Sequence, residues 1–173
     1  EWGLSMTAPS SNDGAGLQAE VAQRRPFHSV KAEVAVSILR TAALIERHFA
    51  QVVSRTGMTT QQYNVLRILR GAGDAGLPTL AIRDRMIEEA AGITRLLDKL
   101  ESAGFVVRER STPDRRQVVC QITSAGLGLL ASLDKPVDEV NLTAVQMLDE
   151  PEKKTLVDLL GAVRAGCTGA NKH

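Results

Sequence analysis

Ile93-Thr94-Arg95-Leu96-Leu97-Asp98-Lys99-Leu100-Glu101-Ser102-Ala103-Gly104 is the stretch from which the rest of the chain can be read. Its apolar residues Ile93, Leu96, Leu97, Leu100 and Ala103 recur with the spacing of a helix buried along one stripe. Thr94, Arg95, Asp98, Lys99 and Ser102 are left facing outward. Gly104 stands where a left-handed residue closes a helix, and Phe105 can fold back on Leu100, the apolar contact of a Schellman stop. The helix therefore has a defined end and a polar, partly basic outer face.

Immediately downstream the period changes to two. Val106, Arg108 and Arg110 alternate with Val107 and Glu109, and Val118, Cys120 and Ile122 alternate with Val119 and Gln121. The polar run Ser111-Thr112-Pro113-Asp114-Arg115-Arg116 between them makes a turn, so the segment is a β-hairpin, a wing. Upstream, Thr59-Thr60-Gln61-Gln62 is a capping box ahead of Tyr63, Leu66 and Leu69, which starts a short helix. Gly71 to Gly76 is a glycine-rich link, and a third short helix through Met86 follows Leu77-Pro78, with Thr79 as its expected cap. This third helix and the Ile93 helix after it, joined by a tight turn and the second with Thr94 and Arg95 near its start, form a helix-turn-helix arrangement.

Longer helices flank this unit. Val30, Val34, Ile38, Ile45, Phe49 and Val52 outline one from Phe27 to about Ser54, closed near Gly57. Thr123 or Ser124 caps another through about Leu142 that contains Pro136. Asp149, with Glu152 after it, caps a last helix bearing Leu156, Leu159, Leu160 and Val163. The expected fold is mainly α with a small β-hairpin wing.

The 173 residues, 43% of them apolar, suffice for one ordinary core with appendages. No apolar run approaches the roughly 18 residues of a membrane span, and the first residues lack the charged-then-apolar order of a secretion signal. A soluble cytoplasmic protein with no membrane partner is expected. Net charge is only +1, yet Phe105 to Gln117 holds four arginines (Arg108, Arg110, Arg115, Arg116) against two acids, Glu109 and Asp114. Aromatics at 3% argue against platforms for stacking single-stranded bases. Cys120 and Cys167 lack metal-ligand spacing, His28 and His48 are isolated, and His173 belongs to a tail. No Ser/His/Asp grouping or phosphate-binding glycine loop stands out, so neither an enzyme nor a cofactor is expected.

The order of helices with a wing after the fourth, the run Ile93 to Glu101 followed by Gly104, and the Asp-x-Arg element at Asp114 and Arg116 resemble the MarR family of winged-helix transcriptional regulators over residues 28 to 166. The resemblance implies a homodimer held by interlocked terminal helices, a reading helix in the major groove of double-stranded DNA, and a wing arginine in the adjacent minor groove. It also implies release of DNA by a small, often aromatic or phenolic, effector, hence a repressor on a pseudo-palindromic operator. Residues 1–26, holding Ser, Gly, Asn, Pro and Ala without apolar periodicity, are expected to be a flexible N-terminal arm; on the basis of the resemblance 27–56 are an N-terminal dimerisation helix and 57–123 the DNA-binding domain. Residues 124–166 are C-terminal dimerisation helices and 167–173 a tail.

The chemistry fits that expectation. Thr94, Arg95 and Lys99 offer a hydroxyl, a bidentate fork and a point charge to base edges and phosphates. Gly92 lets backbone amides approach a phosphate. Arg108, Arg115 and Arg116 are expected on DNA, with Asp114 positioning the wing. Glu88 and Glu89 oppose a phosphate track, although acids stabilise a helix N-terminus. Phe49, Met58 and Tyr63 are candidates either for an effector cleft or for plain core. Two other functions remain open: a winged-helix module that binds protein without DNA, and a thiol-based oxidant sensor using Cys120 or Cys167.

Overall fold

The structure is a computed structural model, and it describes residues 15–87, 92–110 and 118–169. It divides at Glu46 into two compact units, 1–46 and 47–173. In the first unit Ala15–Glu20 form helix α1, in a stretch expected to be an arm without regular structure. Ala15, Leu17, Gln18, Ala19 and Glu20 favour a helix and Gly16 opposes it, so local propensity permits this short helix without an apolar stripe to announce it. Arg40 lies 3.5 Å from Glu20. Helix α2 covers Val30–Ser54 and crosses the division. It starts at Val30 rather than Phe27 because the hydroxyl of Ser29 accepts the amide of Ala32 (3.3 Å), capping the first turn. Val30, Val34 and Leu39 are exposed.

The second unit includes α3, Thr60–Ala72, started through the expected capping box. The Gln62 amide donates to Thr59 Oγ1 (3.2 Å) and the Thr59 amide donates to Gln62 Oε1 (2.9 Å). A 3-10 turn, Gly73–Ala75, then leads to a short strand β1, Leu77–Pro78, and helix α4, Thr79–Arg83. Helix α5 covers Ile93–Ser102, and strands β2 and β3 cover Val106–Arg110 and Val118–Ile122. The sheet is antiparallel in the order β1-β3-β2, three strands where a two-stranded hairpin was expected. Leu77 sits opposite Cys120 and Pro78 opposite Val119. Two residues are too few to show an alternating pattern, and Pro78, which has no amide to donate, is tolerated because β1 is an edge strand. Gly76 makes the docking of β1 sterically feasible: it has φ +62°, and a Cβ there would lie 2.5 Å from the Cys120 carbonyl. Thr79 does not cap α4. Pro78 occupies the cap position without a side-chain bond, and Thr79 Oγ1 lies 3.9 Å from Cys120 Sγ.

Helix α6, Ser124–Val145, starts on Thr123, whose hydroxyl accepts the Gly126 amide, and it carries Pro136 inside. Helix α7, Glu150–Gly169, starts on a second capping box: the Glu152 amide donates to Asp149 (2.8 Å) and the Asp149 amide to Glu152 (2.9 Å). The core collects Val53, Val65, Leu66, Leu69, Ile82, Leu97, Leu100, Val106, Cys120 and Leu130. Arg70 reaches both oxygens of Asp134 at 2.9 Å, tying α3 to α6. No described helix is long and apolar enough to cross a membrane.

Candidate nucleic-acid interface

Helix α5 is seated by Ile93, Leu97 and Leu100, which are buried against α3, α4 and β2. Its closure is a complete Schellman motif: the Gly104 amide donates to Glu101 O and the Phe105 amide to Leu100 O, both at 2.9 Å, with Gly104 at φ +78°. Ala103, expected on the apolar stripe, is exposed because it is the C-cap, past the last helical turn. Rotation of the helix is thereby fixed, and Thr94, Arg95, Asp98 and Lys99 are exposed together on the opposite side. Arg95 and Lys99 enter no ion pair among the described residues. Gly92 is the N-cap, with no side-chain bond to the first-turn amides, and a Cβ there would meet nothing within 4 Å. The Ile87 amide donates to Asn64 Oδ1 (3.1 Å), tying the residues that follow α4 to α3.

Arg108 is placed differently from the outward-facing phosphate contact that its charge suggested. It sits opposite Cys120 on the strand face that carries buried Val106, so its side chain leaves the sheet toward α5. There Nε donates to Glu101 Oε2 (2.8 Å) and Nη2 to Asp98 Oδ1 (2.7 Å), and the side chain is only 23% exposed. Arg108's hydrogen bond, with its positive charge adding to it, holds the Glu101 carboxyl below the usual range against the opposing effect of burial. Alternation along β2 already contained this placement, since Arg108 shares a face with Val106, whereas the partner acids lay in a different element. Arg115, Arg116 and Asp114 at the wing tip, and Glu88 and Glu89 before α5, lie outside the described residues.

Phe49, Met58 and Tyr63 are brought together as core. Met58 and Tyr63 are buried, and the Phe49 and Tyr63 rings meet edge to face with centroids 5.1 Å apart. The Arg67 guanidinium lies 5.9 Å from the centre of the Tyr63 ring. The Tyr63 hydroxyl is buried and without a hydrogen-bond partner among the described residues. Cys120 is fully buried, and burial pushes its thiol up, which disfavours a reactive thiolate, while the hydrogen bond with Thr79 counters this in part; Cys167 is exposed.

Residues 58–118 match the model of the MarR family. The chain is 31% identical over 142 residues to the HTH-type transcriptional regulator PecS of Dickeya dadantii, covering 80% of this chain and 85% of that protein. It is similar to the crystal structure of a MarR transcription factor from Planctomyces limnophilus, with 34% identity, a TM-score of 0.61, and 79% and 99% of the two chains covered. Sco3205 of Streptomyces coelicolor, a MarR family regulator solved in complex with DNA, shares the fold at 22% identity with a TM-score of 0.72, over 83% of this chain and 92% of that one.

Proposed function

The chain belongs to the MarR family of DNA-binding transcriptional regulators, and from that membership we propose that it is a repressor that grips a pseudo-palindromic operator as a homodimer and lets go when a small aromatic or phenolic molecule binds. The observation that carries the DNA part is the outer face of α5, where Arg95 and Lys99 stand exposed and, among the described residues, free of ion pairs on a helix whose rotation is locked by its buried stripe. In this reading Arg95 forks onto a base edge, Thr94 and Lys99 meet a base edge and a phosphate, and the amides after Gly92 approach a second phosphate. Arg116, with Arg115 beside it and Asp114 holding the turn, reaches a minor groove.

The dimer reading is supported by apolar side chains that face solvent in the single chain: Leu142 on α6, Met147 in the turn after it, Leu156, Val157, Leu159 and Val163 on α7, and Val30, Val34 and Leu39 on α2. Residues 27–56 and 124–166 are then the dimerisation segments and 57–123 the reading domain. The effector is assigned to Phe49, Met58 and Tyr63. The Tyr63 hydroxyl, without a partner among the described residues, is a donor that a polar aromatic ligand would satisfy, provided the Phe49 and Tyr63 rings part to admit it. A ligand of this kind shifts DNA occupancy only by its differential affinity for the two arrangements.

Selection of bound fragments from a pool of random duplexes tests the proposal. Enrichment of an inverted repeat with half-site centres roughly 10 base pairs apart is expected. A pool that stays unenriched would remove the operator-binding role.

A further inference from the structure

Helix α5 carries two carboxylates close to the cationic groups that face DNA in the reading above. Asp98 adjoins Lys99 on the exposed face, and Glu101 lies one turn beyond Leu97 at the half-buried edge. Acids in those places repel a polyphosphate. Both are met by one guanidinium from another element, Arg108 of β2, through Nε and Nη2. Strand register enforces the meeting, because Arg108 is paired with Cys120 on the inward face of the sheet. Exposed ion pairs between long side chains rarely hold such geometry, whereas a partly buried planar fork between two carboxylates does.

We propose that Arg108 controls DNA affinity without touching DNA: it is a positioning residue that cancels the two carboxylates of the reading helix and fixes β2, and with it the wing, at a set angle to that helix. The role rests on the DNA-binding reading. A wing arginine whose charge suggests a phosphate contact is thereby assigned to neutralising its own protein, and the net positive field of α5 toward DNA depends on it.

The test is a cycle of duplex affinities, each measured across a salt series, for the unmodified chain, Arg108→Ala, the pair Asp98→Asn with Glu101→Gln, and all three changes together. Arg108→Ala is expected to weaken binding about tenfold in the unmodified background and less than about threefold where the acids are already neutral, since coupled residues are not additive. In the neutral background the salt slope is expected to be the same with and without Arg108. An equal loss in both backgrounds, with a slope shallower by about 0.9, is the signature of a direct phosphate contact and would overturn the proposal. If Arg108→Ala does not fold, as judged by circular dichroism, Arg108→Gln carries the same cycle with the same expected coupling. A chain that binds no duplex in a salt-dependent way overturns the DNA-binding reading itself. A chain that binds but gives an additive cycle overturns only the role of Arg108.

Discussion

Arg95 and Arg108 have the same side chain and different surroundings, and the surroundings decide what each does. Arg95 projects from α5 with no acid among the described residues on it, which leaves its fork for a guanine edge. Arg95→Ala is expected to relax preference at one base position by roughly 1–3 kcal/mol, read as a flattened column in a selected-sequence profile. Glu101 has a pH consequence. Its carboxyl is held below its ordinary 4.5 by Arg108, and a depressed carboxyl stabilises the fold above that ordinary value and loses the contribution as pH falls through the depressed one. Thermal melting at neutral pH and between pH 5 and pH 3 should therefore show the unmodified chain losing more of its advantage in acid than Glu101→Gln does. Equal losses would mean that the clamp with Arg108 contributes nothing in solution. At Tyr63 the buried hydroxyl, without a partner among the described residues, forfeits its hydration for no bond, at a cost of about 1–3 kcal/mol. Tyr63→Phe is expected to leave Tm unchanged or raise it while weakening any phenolic effector, and a clear drop in Tm would show that the hydroxyl is satisfied in solution.

At the scale of elements, the glycines that end α5 and open β1 separate two costs. Gly104 and Gly76 both have positive φ, but a Cβ at Gly104 meets nothing within 4 Å, whereas one at Gly76 lies 2.5 Å from the Cys120 carbonyl. Gly104→Ala should cost about 1–2 kcal/mol, the price of a left-handed alanine alone. Gly76→Ala should cost more, because β1 must also move away from β3. Urea unfolding of both variants checks the order, and equal midpoints would contradict it. The same elements show what was legible. Both capping boxes, the Schellman stop and the α5 stripe are written within a few neighbouring residues, so reading them needs no tertiary knowledge. Strand β1 was not legible, since two residues carry no period and its ladder partner is far along the chain. The position of Arg108 was half legible: its face followed from Val106, but its partners followed from how β2 packs on α5, which no local pattern encodes. Helix α1 was hidden because its helix formers lack an apolar stripe.

For the whole molecule, the apolar residues of α6 and α7 left in solvent give the dimer proposal a direct test. Leu159→Lys, with Leu156 beside it, should convert a dimer of the unmodified chain to a monomer in sedimentation and abolish cooperative binding to a two-half-site duplex. A variant that stays dimeric would place the interface elsewhere. The central claim is that the cations of α5 and the wing engage the phosphates of duplex DNA, and salt reports on that most directly. Affinity for a selected duplex should fall linearly in logarithmic terms as salt rises, with a slope of about −0.9 for each phosphate neutralised, and Lys99→Ala should make it shallower by about that amount. A slope near zero, unchanged by Lys99→Ala, would contradict the account.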